Sequence, residues 1–497
     1  MVSGEIRLGY SGLIIFLSRL ISVGTGLAFT LMVTRSISAE TFGVYGNLSD
    51  VLGYFVLASG VFPFWATRFV ARNHVGSSIT VVFSNILIAV PVTAIYLSLL
   101  PFIMPLFNVT SEFAFVYAII SIQIFEIYLQ NALEATIYAK KPQCVGVGIM
   151  IFETTKVCLG YVLMILLNMR LAGAILSVIF ALSILILYYL RLTVSMFREK
   201  INWNYAKEWI KASPFNLYGI VGQKLSDFAL LFLFLYGGKI ARGYYGAALT
   251  IASIVSYSSS IGSALYPRLL SKSESKDITF SVKLVSMFAV PMAFGAIMMG
   301  DSFLVILRSE YSIVRPVLTL LSIDALLLCF SSIFGTVISG TEKLDANAVI
   351  SWKKVAKSNL FLFLTLPYIQ ALAILPTVYY FLNFSITNAL DAAFYVALTI
   401  LVVDATLVSI RYFIANRSLH FKMPLKHIAK HVLASSGMAV LLYVVPHPTR
   451  LSLTVALTLV GACTYFFILS VIDGESRAIL RKVTKELQEA LQIKASV

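Results

Sequence analysis

The sequence has 497 residues, of which 59% are hydrophobic and only 12% are charged, and its mean hydropathy is +0.89. This composition excludes an ordinary soluble domain and indicates a polytopic membrane protein. The net charge of +15 would suit nucleic-acid binding only on a basic soluble face, and no soluble domain offers one, so no nucleic-acid partner is expected. The four cysteines lack metal-like spacing, and no metal site is expected.

Apolar stretches of about 20 residues, the length that crosses a bilayer, predict fourteen membrane helices. In chain order they cover residues 10–33, 46–67, 79–101, 113–137, 144–167, 171–190, 213–236, 244–266, 281–303, 316–340, 358–381, 388–410, 430–445 and 451–472. Most Lys and Arg residues fall in alternate loops, on the side of the N-terminus, while the opposite loops hold few, among them Lys239 and Arg242. This asymmetry predicts a multi-pass protein of the cytoplasmic membrane with both termini cytoplasmic.

The sequence contains a sparse internal repeat at a constant offset of 200 residues. Each copy has a Gly-x-Tyr-Gly helix start, a later serine and an arginine at the predicted cytoplasmic end: Gly43, Tyr45, Gly46, Ser59 and Arg68 fall opposite Gly243, Tyr245, Gly246, Ser259 and Arg268. An offset of six helices keeps both copies in one orientation, which predicts a parallel repeat. Chance similarity between two glycine-flanked helices is the alternative.

The repeat and the loop charges predict the domain organisation. Residues 1–193 form an N-terminal six-helix bundle, 194–212 a cytoplasmic linker, 213–413 a C-terminal six-helix bundle and 414–472 two additional transmembrane helices. Residues 473–497 are predicted as a cytoplasmic amphipathic tail helix, because their apolar positions form one stripe at helical spacing. The predicted fold class is therefore all-α, with about fourteen transmembrane helices.

Two segments carry a resemblance to a known family. "LMVTRSISAETFGVYGNLSDVLGYFVLASGVFPFWATRFVAR" resembles the opening of Wzx-type polysaccharide flippases, and "LRSEYSIVRPVLTLLSIDALLLCFSSIFGTVISGTEKLDANA" is similar to their ninth-to-tenth helix junction. These flippases belong to the multidrug/oligosaccharidyl-lipid/polysaccharide exporter superfamily. The resemblance implies a transporter, not an enzyme, that moves a lipid-linked oligosaccharide on a polyprenyl phosphate or pyrophosphate carrier by alternating access. The expected partners are this substrate, membrane lipids and glycosyltransferases of the same surface-polysaccharide or glycoprotein pathway.

Basic residues supply the candidate substrate-binding site. Arg19 lies near the middle of the first apolar run, where an ionised side chain needs a partner, water or a function. It either snorkels to the inner interface or grips a phosphate bidentately in a central cavity. Two further candidates, Lys156 and Lys224, each have a carboxylate three residues away that can neutralise them. The rim arginines Arg68 and Arg268 complete the set.

Carboxylates inside the predicted spans supply the candidate ion-coupling groups. Glu126 lies near the middle of its helix and shares a face with Gln130 and Glu134, which indicates either cavity lining or contact between helices. Glu126 and Asp227 are the candidates for carrying a coupling ion, H⁺ or Na⁺, and no other cofactor is expected.

Two other classes of function stay open at this stage. An ion-coupled drug or cation antiporter of the same superfamily would be expected to have a carboxylate in the first helix, and none lies between Leu8 and Val33. A membrane glycan polymerase or glycosyltransferase would need clustered acidic or His residues outside the membrane, and the five histidines form no such cluster. The sequence also contains no G-x-x-x-x-G-K-[ST] phosphate loop, which argues against ATP hydrolysis by that route.

Overall fold

A computed structural model describes residues 8–259, 275–341 and 358–478. Along the first helix, the side chains are described at position 18 and from position 21 onward. The secondary structure within these ranges is helical and contains no strand. The predicted fold class, an all-α polytopic membrane protein, is confirmed. The predicted tail helix lies largely outside the described residues.

The described ranges contain sixteen α-helices, which we number in chain order. Those of the first half are α1 Leu8–Ser36, α2 Ala39–Phe55, α3 Val61–Ala71, α4 Ser77–Leu106, α5 Ala114–Lys140, α6 Pro142–Gly160, α7 Arg170–Thr193, α8 Trp203–Phe232 and α9 Gly238–Ser256. Those of the second half are α10 Ser275–Met298, α11 Gly300–Leu307, α12 Arg315–Thr341, α13 Asn359–Phe384, α14 Ala389–Ser418, α15 Leu425–Val444 and α16 Leu451–Ile472.

The number of membrane spans can be compared with the sequence prediction. Eleven helical segments of the described ranges are long and apolar enough to cross a membrane, or twelve if a bent pair is one span. One segment, residues 203–259, is 57 residues long and contains both α8 and α9. A left-handed glycine, Gly238 with φ of 89°, stands where α9 begins. The predicted number of about fourteen is not confirmed.

The predicted helix 46–67 is a bent pair in the structure, because α2 and the segment containing α3 meet at 51°. A bend frees backbone carbonyls, which must find other donors inside a membrane protein. Here they receive side chains from two neighbouring helices. The Tyr128 hydroxyl on α5 donates to the carbonyl of Phe55 at 3.0 Å, and the Asn85 amide on α4 donates to that of Ser59 at 3.0 Å. These long-range donors satisfy the carbonyls at the bend.

The helix predicted over 213–236 begins ten residues earlier, at Trp203. Its N-cap is Asn202, whose side-chain oxygen accepts a hydrogen bond from the amide of Asn204 at 3.1 Å, which satisfies one of the open N–H groups of the first turn. Trp209 is 1% exposed and packs on Phe62 and Phe69 of α3, with ring centroids 6.3 and 5.6 Å apart. The start of α8 is therefore part of a core.

The chain forms two compact units. Of the described residues, unit 1 contains 8–246 and 364–396, and unit 2 contains 247–341, 358–363 and 397–478. The core of unit 1 includes the buried aromatic residues Trp65, Tyr189 and Trp209. That of unit 2 includes Met287 and Tyr465, whose hydroxyl donates to the Met287 carbonyl at 2.7 Å. The predicted bundles, linker and appended helices remain predictions.

In unit 2, α16 ends beside an ionic cluster around Asp473. The carboxylate receives hydrogen bonds from Ser476 at 2.5 Å, from His427 at 3.0 Å and from Lys430 at 3.0 Å. Burial alone would raise the pKa of Asp473, but these donors and the charge of His427 outweigh it and hold the pKa well below its ordinary value. The cluster therefore ties residues just beyond α16 to α15.

Candidate functional site

The two helices matched by the sequence repeat contact each other at their glycines. A Cβ atom at Gly43 would lie 1.8 Å from the carbonyl oxygen of Lys239, and one at Gly243 would lie 2.1 Å from that of Ala39. Both distances are far inside van der Waals contact, so α2 and α9 can cross this closely only with glycine at both positions. With the 200-residue offset the two contacts are equivalent, and the crossing is reciprocal, as expected across a two-fold axis.

A second pair of glycines continues the crossing. A Cβ at Gly46 would lie 2.8 Å from the guanidinium carbon of Arg242, and one at Gly246 would lie 3.3 Å from the ring of Phe42. Positions 42 and 242 are equivalent in the repeat, so the same place holds a ring in one copy and a guanidinium in the other. The crossing is therefore symmetric in backbone and asymmetric in charge.

Arg242 bridges the crossing with a bidentate ion pair to Asp50. Its Nε donates to one carboxylate oxygen at 2.8 Å and a terminal nitrogen donates to the other at 2.9 Å. The two side chains are only 6% and 13% exposed. The sequence predicts that Arg242 lies in an external loop, and this prediction is wrong, because the residue lies inside α9 and is buried. Nearer the start of the helices, Lys239 pairs with Glu40 at 3.3 Å.

Lys224 of α8 faces α2 about one turn beyond Asp50, at Gly53 and Tyr54. Its ammonium lies 2.8 Å from a carboxylate oxygen of Asp227 and 5.8 Å from the centre of the Tyr54 ring. Tyr54 also donates its hydroxyl to the Lys224 carbonyl at 3.2 Å. Gly53 leaves room for the ammonium, since a Cβ there would lie 3.1 Å from it. The Lys224 and Asp227 side chains are 31% and 37% exposed, so this pair is accessible to another ion.

Lys156 is held more tightly than Lys224. Its ammonium lies 2.9 Å from Glu153, and both side chains are 12% exposed. Glu153 also accepts a hydrogen bond from Thr25 of α1 at 2.7 Å. The rings of Phe29 and Phe152 lie 5.4 and 5.0 Å from the ammonium. The structure therefore contains, for both Lys156 and Lys224, the local ion pair that the sequence predicts as one alternative. Lys156 in addition joins α6 to α1.

Glu126, the other candidate for ion coupling, is a buried residue of α5. One carboxylate oxygen accepts a hydrogen bond from Ser183 of α7 at 2.5 Å, and the other has no hydrogen-bond partner among the described residues. Glu126 as a whole is 6% exposed. The sequence predicts either cavity lining or contact between helices for the polar face that contains Glu126. At Glu126 the structure contains a contact between α5 and α7.

Of the three candidate arginines, the structure describes the side chain of Arg68 only. Arg68 at the end of α3 donates to the Phe64 carbonyl at 2.9 Å, and its guanidinium lies 4.0 Å from the centre of the Phe64 ring. Position 19 belongs to α1, but the Arg19 side chain lies outside the described residues. Arg268 also lies outside them. The roles predicted for all three remain predictions.

Two carboxylates inside predicted spans of unit 2 contact each other, and the sequence does not predict this contact. Asp324 of α12 and Asp404 of α14 are 6% and 4% exposed and are hydrogen bonded to each other. Arg411 follows Asp404 by seven residues on the same helix, α14. It acts electrostatically on Asp404 and donates a hydrogen bond to the hydroxyl of Ser331. The available signal was that each carboxylate stands in an apolar span, where it needs a partner.

These groups define what the described residues can do chemically. Within the described ranges, no set of three His, Cys, Asp or Glu residues could hold a metal ion. The arrangement instead contains a buried ion pair, Arg242 with Asp50, and a more exposed ion pair, Lys224 with Asp227. An anion can compete with Asp227 for the Lys224 ammonium, whereas the buried bidentate pair is protected from exchange.

The comparison with solved structures identifies the fold. The chain is similar to an inward-facing multidrug resistance MATE family transporter of the MOP superfamily, with a TM-score of 0.61, 12% identity, and coverage of 80% of this chain and 95% of the transporter. It is also similar to the lipid II flippase MurJ in an inward closed conformation, with a TM-score of 0.61, 13% identity, and coverage of 92% of this chain and 98% of MurJ. The chain shares the fold of these two proteins.

A third MOP structure, from Pyrococcus furiosus, is similar over 82% of this chain and 94% of its own length, with a TM-score of 0.55 and 13% identity. The binding pocket of that transporter has reversed polarity, which suggests a different function for it. No protein-family model matches the sequence, and no curated protein sequence matches it. At these identities the likeness establishes the fold, which is the one expected for the exporter superfamily, and leaves the Wzx-type resemblance as a prediction.

Proposed function

We propose that this chain is a flippase that turns a lipid-linked oligosaccharide, on a polyprenyl phosphate or pyrophosphate carrier, across the cytoplasmic membrane by alternating access. The observation that carries the proposal is the accessible Lys224–Asp227 pair within a MOP fold. Lys224 presents a cation 31% exposed beside Tyr54, and an anionic phosphate is the group that such a cation would bind. The match with MurJ over 92% of the chain supports a lipid-carried substrate.

The pair also suggests how a coupling ion would act. Asp227 and a substrate phosphate would compete for the same ammonium, so a proton or Na⁺ on Asp227 would release Lys224 for the phosphate. Two ligands that each favour the binding of the other are thermodynamically coupled, and the coupling is reciprocal. Substrate binding would therefore strengthen ion binding at Asp227. In this proposal Arg19 provides a second grip on the phosphate.

Transfer of a labelled lipid-linked oligosaccharide in reconstituted vesicles tests the proposal. Lys224→Ala should abolish most transfer, and Lys224→Arg should retain part of it, since arginine keeps the charge. Lys211→Ala is the matched control, because Lys211 is an exposed lysine of the same helix, three and a half turns away. Equal transfer by Lys224→Ala and Lys211→Ala at matched protein abundance would remove Lys224 from the substrate site.

Two further variants test the other parts of the proposal. Asp227→Asn should make transfer independent of the H⁺ or Na⁺ gradient, because the amide does not compete for Lys224. Arg19→Lys should lose much of the transfer and Arg19→Ala nearly all, because an ammonium lacks the bidentate fork of arginine. Full transfer by Arg19→Ala would contradict the second grip. If Arg19 only snorkels, Arg19→Lys should be nearly silent.

An ion-coupled antiporter for cationic drugs is the second candidate, because MATE family transporters share this fold. In that case Asp227 would bind the cationic substrate and Lys224 would be its resident counter-ion. Efflux of a fluorescent organic cation separates the two candidates. A cation antiporter requires efflux that Asp227→Asn abolishes, whereas the proposed flippase requires oligosaccharide transfer that Lys224→Ala abolishes.

A further inference from the structure

Unit 2 contains a cavity of about 710 Å³ between the start of α10 and the end of α14. The described residues that line it come from α10, from the end of α14 and from the segment that follows, and they include Ser275, Lys276, Phe280, Asn416, Phe421 and Lys422. All of them belong to unit 2. The predicted topology places these ends of both helices on the cytoplasmic side.

The lining is basic. Among the described residues it contains three lysines and a histidine and no carboxylate. Lys283 forms an ion pair with Glu475, whereas Lys276 and Lys422 are exposed and form no ion pair with any described residue. Two lysine charges are therefore left to be balanced by an anion.

The cavity is held in place by hydrogen bonds that do not use the lysine charges. The Thr279 hydroxyl of α10 donates to the carbonyl of Lys422 at 3.0 Å, which ties the segment after α14 to α10. The amide of Phe421 donates to the Asn416 side chain at 3.1 Å. The backbone that carries Lys422 is thus fixed, while its ammonium remains available.

Part of the wall is aromatic. Phe421 is 6% exposed and gives the cavity a buried apolar wall, while Phe280 is 44% exposed beside it. A site for a free inorganic anion needs polar donors and gains nothing from these rings. A site for a lipid needs both a basic region for the headgroup and an apolar surface for the first part of an acyl chain. The combination therefore favours a lipid.

We propose that this cavity binds the phosphate-bearing headgroup of an anionic lipid of the inner leaflet. Lys276 and Lys422 contact the phosphate, Ser275 and Asn416 donate to its oxygens or to the headgroup, and Phe280 contacts the acyl chain. The proposal concerns unit 2 alone and does not depend on the proposed substrate or on Lys224. A lipid held here would stabilise the junction of α10 and α14, because a ligand that binds only the folded state shifts the unfolding equilibrium.

A second cavity shows that lysines alone do not make such a site. In unit 1, Lys140 and Lys141 line a cavity of only about 110 Å³ that also contains the carboxylate of Glu199. That carboxylate accepts a hydrogen bond from the amide of Gly76 at 2.6 Å. An acid in the wall and a volume about six times smaller make this cavity unsuitable for a headgroup, and we assign no ligand to it.

The test is binding of phosphatidylglycerol with a fluorescent acyl chain to the purified full-length chain in neutral detergent. Each lysine near an anionic headgroup contributes about five-fold in affinity, so Lys276→Ala with Lys422→Ala should weaken binding about 25-fold. Lys426→Ala is the control, since Lys426 is exposed four residues from Lys422 but does not line the cavity. The unfolding temperature without lipid verifies that each variant is folded.

Competition on the native protein gives an independent readout. Unlabelled phosphatidylglycerol should displace the probe, whereas phosphatidylcholine and inorganic phosphate at millimolar concentration should not. Displacement by inorganic phosphate would overturn the lipid assignment in favour of a free-anion site. Displacement by phosphatidylcholine, or equal weakening by Lys426→Ala, would show non-specific binding and overturn the site itself.

Discussion

The Arg242–Asp50 ion pair gives a sharp stability prediction, because the chain supplies its own control. Both Arg242 and Lys239 reach from α9 to an acidic residue of α2, Asp50 and Glu40 respectively. The two pairs join the same helices but differ in burial and geometry. We expect that replacing Arg242 by alanine destabilises the protein strongly, and that replacing Lys239 by alanine changes its stability little.

The magnitudes follow from the two environments. Loss of Arg242 leaves the carboxylate of Asp50, 13% exposed, buried without its bidentate partner, which costs about 3–5 kcal/mol. The Lys239–Glu40 pair has one contact at 3.3 Å and side chains 20% and 55% exposed. Such a pair contributes about 0–1 kcal/mol. The two single variants should therefore differ by about 3 kcal/mol in the free energy of unfolding.

A double variant separates the pair interaction from the burial of a lone charge. Threonine stands at position 250, the repeat equivalent of Asp50, so Asp50→Thr places there a residue that the second copy already has. Arg242→Met with Asp50→Thr removes both charges and keeps most of the volume, and should recover most of the stability that Arg242→Ala loses. The assay is unfolding of the purified protein by a denaturing detergent, followed by intrinsic fluorescence.

Two results would refute this reasoning. If Arg242→Ala and Lys239→Ala unfold alike, the carboxylate of Asp50 is not left in a buried site. If the double variant is as unstable as Arg242→Ala, the loss comes from packing against Gly46 and not from an unpaired charge. Substrate transfer measured on the same variants would show whether the ion pair also controls transport.

The remaining predictions concern backbone contacts and pH. Gly43→Ala would require the helices to separate by about 1.2 Å to bring its Cβ to the shortest normal contact and should destabilise the protein by about 1–3 kcal/mol. Gly26→Ala, whose Cβ would have no described atom within 4 Å, should instead stabilise it by about 0.5–1 kcal/mol. Tyr128→Phe should lower the unfolding free energy by about 1–3 kcal/mol, since it removes the donor to the Phe55 carbonyl at the bend. The pKa of Asp473 is lowered by folding, so its stabilisation is complete above an unfolded-state pKa of about 3.9 and is lost only as pH falls below it. The unfolding temperatures of the native chain and of Asp473→Asn should therefore differ at pH 5 and converge in acid; a difference that persists undiminished in acid would contradict the assignment.

Local features of the sequence were predictable and long-range ones were not. The last helix was predicted over 451–472 and is Leu451–Ile472, because Arg450 and Asp473 bound an uninterrupted apolar run. The pairing of Lys156 and of Lys224 was foreseen as an alternative, since a carboxylate three residues away shares a helix face. By contrast, Arg242 and Asp50 lie 192 residues apart, and no helical periodicity relates them.

The bend between α2 and α3 could not be predicted for the same reason. The run over 46–67 is apolar enough for one straight span, and a straight helix would satisfy its own backbone. The bend exists together with donors on α4 and α5, such as Asn85 and Tyr128. Those residues are distant in the sequence and could have many other roles, so no feature of the sequence near position 56 predicts the bend.

The glycine crossing changes how the internal repeat is interpreted as a record of gene duplication. Identities between two copies of a duplicated segment ordinarily fade as each copy adapts separately. Positions 43 and 243 cannot adapt separately, because each lies against the backbone of the other copy. A larger residue at either position opens the same crossing, so a substitution at either one carries the same structural cost. The repeated glycines therefore mark the place where α2 and α9 cross.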